Sequence, residues 1–190
     1  MRKNINKMPV VFPMPVLMIA AYDENGTVCA MNAAWGLVSG RDTVALFIDK
    51  DHKTTKNIYT SKAFTVALAD EEHMAEADFF GIATGNKMPD KFERTGFHAV
   101  KSEFVNAPVI AECPVAMECE FVEEINTEFT HAIIGKVVNV SADEKVLGED
   151  GRVVPEKVKA LIFDQFRAGY YSVGEKVGQA WNAGKALIEK

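Results

Sequence analysis

The 190-residue chain is poor in cysteine, and its cysteines are poorly arranged for cross-linking: Cys29, Cys113 and Cys119 are odd in number and form no C-x-x-C pair. A disulfide framework or a zinc site is therefore not expected, and the usage fits a reducing compartment. Positive charge is also short. With 21 Lys and Arg against 27 Asp and Glu the net charge is -6, which gives no global pull toward nucleic acid or an anionic membrane. Any anion the chain binds must be held by a local cluster of donors. No stretch approaches the length of a membrane-spanning helix. The apolar run over 8–22, behind Arg2, Lys3 and Lys7, has the outline of a secretion signal, but Pro9, Pro13 and Pro15 interrupt it and no A-x-A site follows. A cytoplasmic protein is the expectation.

The usual catalytic signatures are missing too. No G-x-G-x-x-G follows a strand, and no Gly-Lys-Thr/Ser is present. The run over 36–40 places Ser39 one position late for a nucleophile elbow. His73 and Glu76 have helical spacing but no second Glu-x-x-His accompanies them, and His52, His98 and His131 show no ligand spacing. Hydrolase and metalloenzyme readings thus lack a constellation; neither a catalytic side chain nor a metal ligand is expected.

What is present is a chain with 48% hydrophobic residues, enough for one domain spanning 1–190. Residues 15–22 are a strand-like apolar run, followed by Asn25-Gly26, a strong hairpin signal because both residues tolerate positive φ. Residues 27–35 form the returning strand, 43–48 a third, and 63–69 a fourth. Residues 54–61 read as a short helix with a threonine cap. Residues 70–80 read as a helix capped by Asp70 with Met74, Ala77 and Phe80 on one face. A loop and a short helix opened by Pro89 fill 81–96. Val115, Met117, Cys119 and Phe121 alternate with Ala116, Glu118, Glu120 and Val122, a period-2 strand with one wet face. A turn near 125–127 leads to a return strand over 129–140, and a further turn falls at 149–151. Residues 175–190 read as an amphipathic helix with Val177, Trp181, Gly184 and Ile188 on one stripe. Strands dominate, so an antiparallel barrel or sandwich with peripheral helices is favoured over a doubly wound sheet.

Three segments carry candidate chemistry. In His52-Lys53-Thr54-Thr55-Lys56-Asn57 a strand ends and a helix begins, which offers unpaired N–H donors, short polar side chains and lysines to a phosphate. Taken alone, it is equally a capped helix on a lysine-lined surface. In the segment from Thr84 through Phe92, Gly85 permits close approach of backbone N–H groups to an anion, with Lys87 and Lys91 placed to close over it; taken alone, it is an ordinary loop. The small residues of Ala30-Met31-Asn32-Ala33-Ala34-Trp35-Gly36 suit a flat ring lying on a strand. Trp35 is available to stack and Asn32 to hydrogen-bond the ring's polar edge. Equally, Trp35 is a core residue.

Taken in order, these segments resemble the flavin-reductase-like FMN-binding split-barrel family, its flavoredoxin branch in particular. The resemblance is carried by Pro13 to Val16 with the Asn25-Gly26 hairpin, by Met31 to Trp35, by Thr54 to Ile58, and by the Thr84-Gly85 loop ending in Lys91-Phe92. Glu112 to Cys119, His131 to Gly135 and Gly169 to Gly174 continue it, over roughly residues 10–188. It implies an antiparallel split β-barrel of Greek-key type with peripheral helices, a non-covalently bound FMN and a homodimer. Asn32, Ala33, Ala34 and Trp35 are expected along the ring. Lys53, Thr54, Thr55 and Asn57, with Ala83, Thr84, Gly85 and Lys91, are expected at the ribityl phosphate. His131 and Phe163 are expected near the ring, with His131 and Lys91 tuning its potential. Asn86 stands where many relatives carry Arg, so Lys87 is the expected substitute. The implied activity is flavin-dependent oxidoreduction: electron transfer between proteins, or NAD(P)H-dependent flavin reduction through a tightly held FMN. The alternative is a flavin-binding module without turnover. NAD(P)H and a redox protein are the expected partners beside a second copy of the chain, the 175–190 helix lying at the dimer contact.

Overall fold

The computed structural model describes residues 1–5, 7–9 and 11–188. Its main sheet has seven antiparallel strands in the order β3(Val28–Ala33), β2(Leu17–Tyr22), β6(Ala63–Leu68), β9(Val115–Asn126), β10(His131–Ala142), β5(Thr43–Leu46) and β4(Gly36–Val38). A second sheet joins β1(Met14–Pro15), β11(Leu161–Asp164) and β12(Gly169–Ser172), and a third pairs β7(Ala99–Lys101) with β8(Pro108–Ile110). The helices are α1(Lys53–Ser61), α2(Met74–Ile82), α3(Lys91–Arg94) and α4(Pro155–Val158). The fold is a mainly antiparallel split β-barrel with peripheral helices.

The apolar run of β2 is explained by burial on both faces. Leu17, Ile19 and Ala21 pack into one core with Leu46, Ile58, Phe64 and Ile133. Met18 and Ala20 pack into another with Phe80, Phe92, Phe97 and Leu161. Period-2 alternation therefore separates two apolar sets rather than wet from dry. The hairpin after β2 forms as its sequence demands: Asp23 Oδ1 accepts from the N–H groups of Asn25 and Thr27, both at 2.9 Å, and Gly26 adopts φ 80°. The sheet curls over Phe64, whose ring occupies the space a side chain at position 135 would need. A Cβ on Gly135 would lie 2.3 Å from Phe64 Cζ.

Four expectations need correction. Helix α1 begins at Lys53 and has no threonine cap; the residue preceding it is His52, whose side chain makes no capping bond. Glu118, assigned to a wet face, is buried. Its carboxylate accepts hydrogen bonds from Ser102 Oγ and, at 2.6 Å, from Asn139 Nδ2, and these satisfy it inside the protein. Met74 is exposed although Ala77 and Phe80, on the same helix, are buried. Over 175–188 there is no α-helix: a 3-10 turn at Lys185–Leu187 is the only helical element of that stretch, and Val177, Trp181 and Ile188 are exposed. Residues 189 and 190 of that expectation lie outside the described residues. An isolated amphipathic segment interrupted by Gly178 and Gly184 gains nothing from helix formation unless a surface receives its apolar face.

Candidate functional site

A cavity of about 410 Å³ opens between the end of β3 with the residues that follow it, the start of α1, helix α2 and the second sheet, within the size range of small-ligand pockets. Its two ends differ in chemistry. One end is built of donors. Helix α1 presents Lys53 and Thr54 to the cavity, and its first turn contains no acidic residue. The first-turn N–H groups have no acceptor within the helix, which leaves a positive dipole end facing the space. The loop Ala83-Thr84-Gly85 lies against this helix start. A Cβ on Gly85 would be 3.2 Å from Lys53 Cβ and 3.0 Å from Cys29 Sγ, so only glycine fits without displacement. Asn86 ties the two segments together, its Nδ2 donating to Asp51 O at 2.9 Å. Asn86 is thus a clasp, and Lys87 does not line the cavity.

Lys91 dominates this end. Its side chain lines the cavity yet the residue is only 3% exposed. Nζ donates to the carbonyls of Ala83 at 3.0 Å and Phe80 at 3.4 Å, and no carboxylate is within salt-bridge distance among the described residues. Burial holds its pKa below the ordinary lysine value, with the neighbouring Cys29 thiol acting weakly in the opposite direction. A buried ammonium held by two carbonyls and the face of the Phe80 ring, 5.6 Å from its centre, is still a charge without a counter-ion, and an anion in the cavity would supply one.

The other end is aromatic. Trp35 is half exposed, its ring centre 6.2 Å from that of Phe163. Phe163 in turn lies 6.1 Å from Tyr170, its partner across the β11–β12 pair. Tyr170 donates its hydroxyl to Asp78 Oδ1 at 2.8 Å; burial and this carboxylate push the phenol up to about 12. Asn32 Nδ2 donates to Ala77 O at 2.6 Å, which commits one of its two amide hydrogens, and its Oδ1 is the atom nearest Gly81.

The cavity gathers eleven of the residues expected from sequence: Asn32, Ala33, Ala34 and Trp35 from one segment, Lys53 and Thr54 from a second, Ala83, Thr84, Gly85 and Lys91 from a third, and Phe163 from a fourth. Three expected residues stand outside it. Thr55 is fully buried with its hydroxyl donating to Asp49 O at 2.8 Å, because a one-residue step on a helix turns the side chain by about 100°. Asn57 lies deeper on α1 and is buried. His131 is one layer behind the wall, where Nδ1 donates to the carbonyl of Ile48.

Ile48 does line the cavity, as do Phe47, Asp49, Asp78 and Ile82, none of which was singled out from sequence; His52 and Tyr170, which fall within candidate or resemblance segments but were given no role, line it too. A helical signal existed for two of them: Asp78 and Ile82 are four apart on a helix whose Ala77 and Phe80 face the core. Phe47 and Ile48 gave no signal, since they read as the end of a core strand.

The flavin reductase like domain family model matches residues 9–170. The chain belongs to that family. Flavoredoxin of Desulfovibrio vulgaris (Miyazaki F) superposes with a TM-score of 0.91 at 30% identity, covering 97% of this chain and 100% of that one. A flavoredoxin from Methanosarcina acetivorans gives 0.89 at 24% identity, covering 98% and 99%. An uncharacterized protein of Aquifex aeolicus (strain VF5) is 31% identical over 127 residues, 65% of this chain, and the chain spans 60% of that protein's length. These matches support a flavin-related redox role.

The residues present fit FMN. Lys91, the α1 start and the Thr84-Gly85 loop would hold the phosphate, and the segment from Asn32 to Trp35, the end of β3 and the two residues after it, with Phe163 would carry the ring.

Proposed function

We propose that the chain holds one FMN in this cavity and works as a flavin-dependent oxidoreductase, passing electrons to or from another molecule while the FMN stays bound. The single observation that carries this reading is Lys91: a cation 3% exposed, lining the cavity without a carboxylate partner among the described residues, beside a helix start whose first turn carries no acidic residue. Charge-assisted hydrogen bonds of that kind are worth roughly 1.5–3 kcal/mol each. Bound there, FMN supplies the electron chemistry; the protein supplies binding, orientation and the surrounding charge. Half-exposed Trp35 leaves the aromatic end accessible to a redox partner while Lys91 retains the phosphate.

The finer assignments belong to the same reading. A flavoredoxin-like electron carrier is favoured over an NAD(P)H:flavin reductase that releases its product, because the donor end is enclosed and prebuilt. Homodimerisation would cover the exposed Leu37 and Val38 on edge strand β4 and Phe47 at the cavity mouth. The three free thiols of Cys29, Cys113 and Cys119 suit a reducing cytoplasm.

The test is a fluorescence titration of apoprotein with FMN, followed by gel filtration and anaerobic addition of NADH with and without free flavin. The reading predicts a yellow, one-to-one complex that survives filtration, and light scattering of a dimer. A colourless protein that leaves FMN fluorescence unchanged overturns it.

A further inference from the structure

His131 opens β10 immediately behind the cavity wall, its side chain 14% exposed. Its surroundings fix its hydrogens. A carbonyl oxygen only accepts, so the Nδ1 facing Ile48 O carries one. On the far side Nε2 lies 3.0 Å from the Tyr59 hydroxyl, and that hydroxyl is also in close contact with Glu124 Oε2. Nε2 and Oε2 are 3.6 Å apart.

Three polar atoms thus share two short contacts. With a neutral ring and an ionised carboxylate, the only hydrogen among them is that of Tyr59. Whichever contact it makes, the other brings two lone pairs together. One added proton satisfies both: Nε2–H donates to the Tyr59 oxygen, and Tyr59 O–H donates to Glu124. The hydrogen bond from Tyr59 holds Glu124 below the ordinary carboxyl range, while burial, aided by Glu124, holds the Tyr59 phenol above its own. The carboxylate stays ionised and the phenol keeps its hydrogen, so the added proton rests on Nε2.

We propose that Tyr59, Glu124 and His131 form a proton-binding site coupled, through the Ile48–Asp49 rim, to anion binding in the adjoining cavity. This rests on the FMN reading above. Three elements converge on the imidazole. Helix α1 contributes Tyr59, β9 contributes Glu124, and the rim contributes the Ile48 carbonyl, Asp49 and Lys50, with His52 beyond them. The carboxylates of Asp49 and Glu124 and the ammonium of Lys50 are the charged groups set around the ring. The filled network ties α1 and the rim to one ring, and Ile48, Asp49, His52 and Lys53 of those two elements line the cavity. An anion in the cavity and a proton behind its wall attract each other, so each raises the other's affinity by the same factor. The proton comes from solvent hydronium: one of its O–H bonds breaks, leaving water, as the Nε2–H bond forms, and no other bond changes. Tyr59 and Glu124 are positioning residues, acting through His131.

The experiment measures FMN dissociation constants from about pH 5.5 to 8.5 for wild type, Tyr59→Phe and Glu124→Gln, alongside nitrogen-15 NMR titration of His131 in the apoprotein. FMN's own phosphate titrates identically in all three and cancels in the comparison. Wild-type affinity is expected to fall about fivefold more than that of either variant as the network loses its proton, and the His131 titration to move in both variants. Superimposable pH profiles overturn the coupling. A His131 titration unchanged by Tyr59→Phe overturns the network even if FMN binds. Absence of FMN binding at every pH removes the flavin reading, and this proposal with it.

Discussion

The two ends of the cavity solve different problems. The donor end is enclosed and fixed before any ligand arrives: Gly85 is packed against Lys53 and Cys29, Asn86 is bonded to the backbone at Asp51, and Lys91 is buried. The aromatic end is open, with Trp35 and Phe47 both exposed. An enclosed donor end costs desolvation of a lysine, which the Ala83 and Phe80 carbonyls offset in part and an anion would offset further. An open aromatic end costs little and restrains little. The comparison teaches that affinity and retention should reside at the phosphate, and exchange with other molecules at the ring.

The sharpest way to break this contrast is to crowd the donor end. Gly85→Val would force Cys29 and Lys53 apart. Overpacking of about 1–3 kcal/mol, felt where the phosphate binds, weakens FMN by roughly 5- to 150-fold, while far-UV circular dichroism stays native. At the open end the effect is smaller. Trp35→Ala removes an aromatic contact worth about 0.5–1.5 kcal/mol, a roughly 2- to 12-fold loss by fluorescence titration. It should fall equally on FMN and riboflavin, since it touches no phosphate. An equal or larger loss than that of Gly85→Val would reverse the assignment of the two ends.

The pH dependence sharpens the same comparison. Burial holds the Lys91 pKa below the ordinary lysine value. FMN affinity should therefore begin to fall at a pH lower than an ordinary lysine would dictate, and riboflavin affinity should not follow. Folding responds with the opposite sign. A lysine whose native pKa is depressed binds its proton more weakly folded than unfolded, so its contribution to apoprotein stability rises as pH rises from the depressed value toward the ordinary one. Chemical denaturation of the apoprotein at alkaline pH checks that direction.

Much of the donor end was legible because it is built from local rules. A Thr-Lys helix start, a Gly-containing loop and a lysine seven residues after Thr84 are each visible in the sequence; taken alone each is an ordinary capped helix or loop, and it is the family resemblance that implies they meet at one phosphate. What spacing does not give is which side of a helix faces the cavity. Thr54 and Thr55 are adjacent in sequence but only Thr54 reaches the cavity. The aromatic end was half legible. Trp35 and Phe163 were expected there, whereas Tyr170 depends on the β11–β12 register and Asp78 on which face α2 buries. His131 shows the limit most clearly: its role depends on Tyr59 and Glu124, 72 residues distant and on a neighbouring strand respectively, and on a contact to Ile48 that bridges 83 residues. The 175–188 segment failed for a different reason. Its amphipathic stripe is real, but a stripe specifies a helix only when a surface is present to receive it.

The most direct test is the preference for FMN over riboflavin, two ligands that differ by the phosphate, in wild type and Lys91→Met. The account predicts that wild type prefers FMN by about 100-fold, and that the substitution removes roughly tenfold or more of that preference while leaving riboflavin affinity unchanged. A variant that retains the full preference, or that loses both ligands in equal measure, would contradict it.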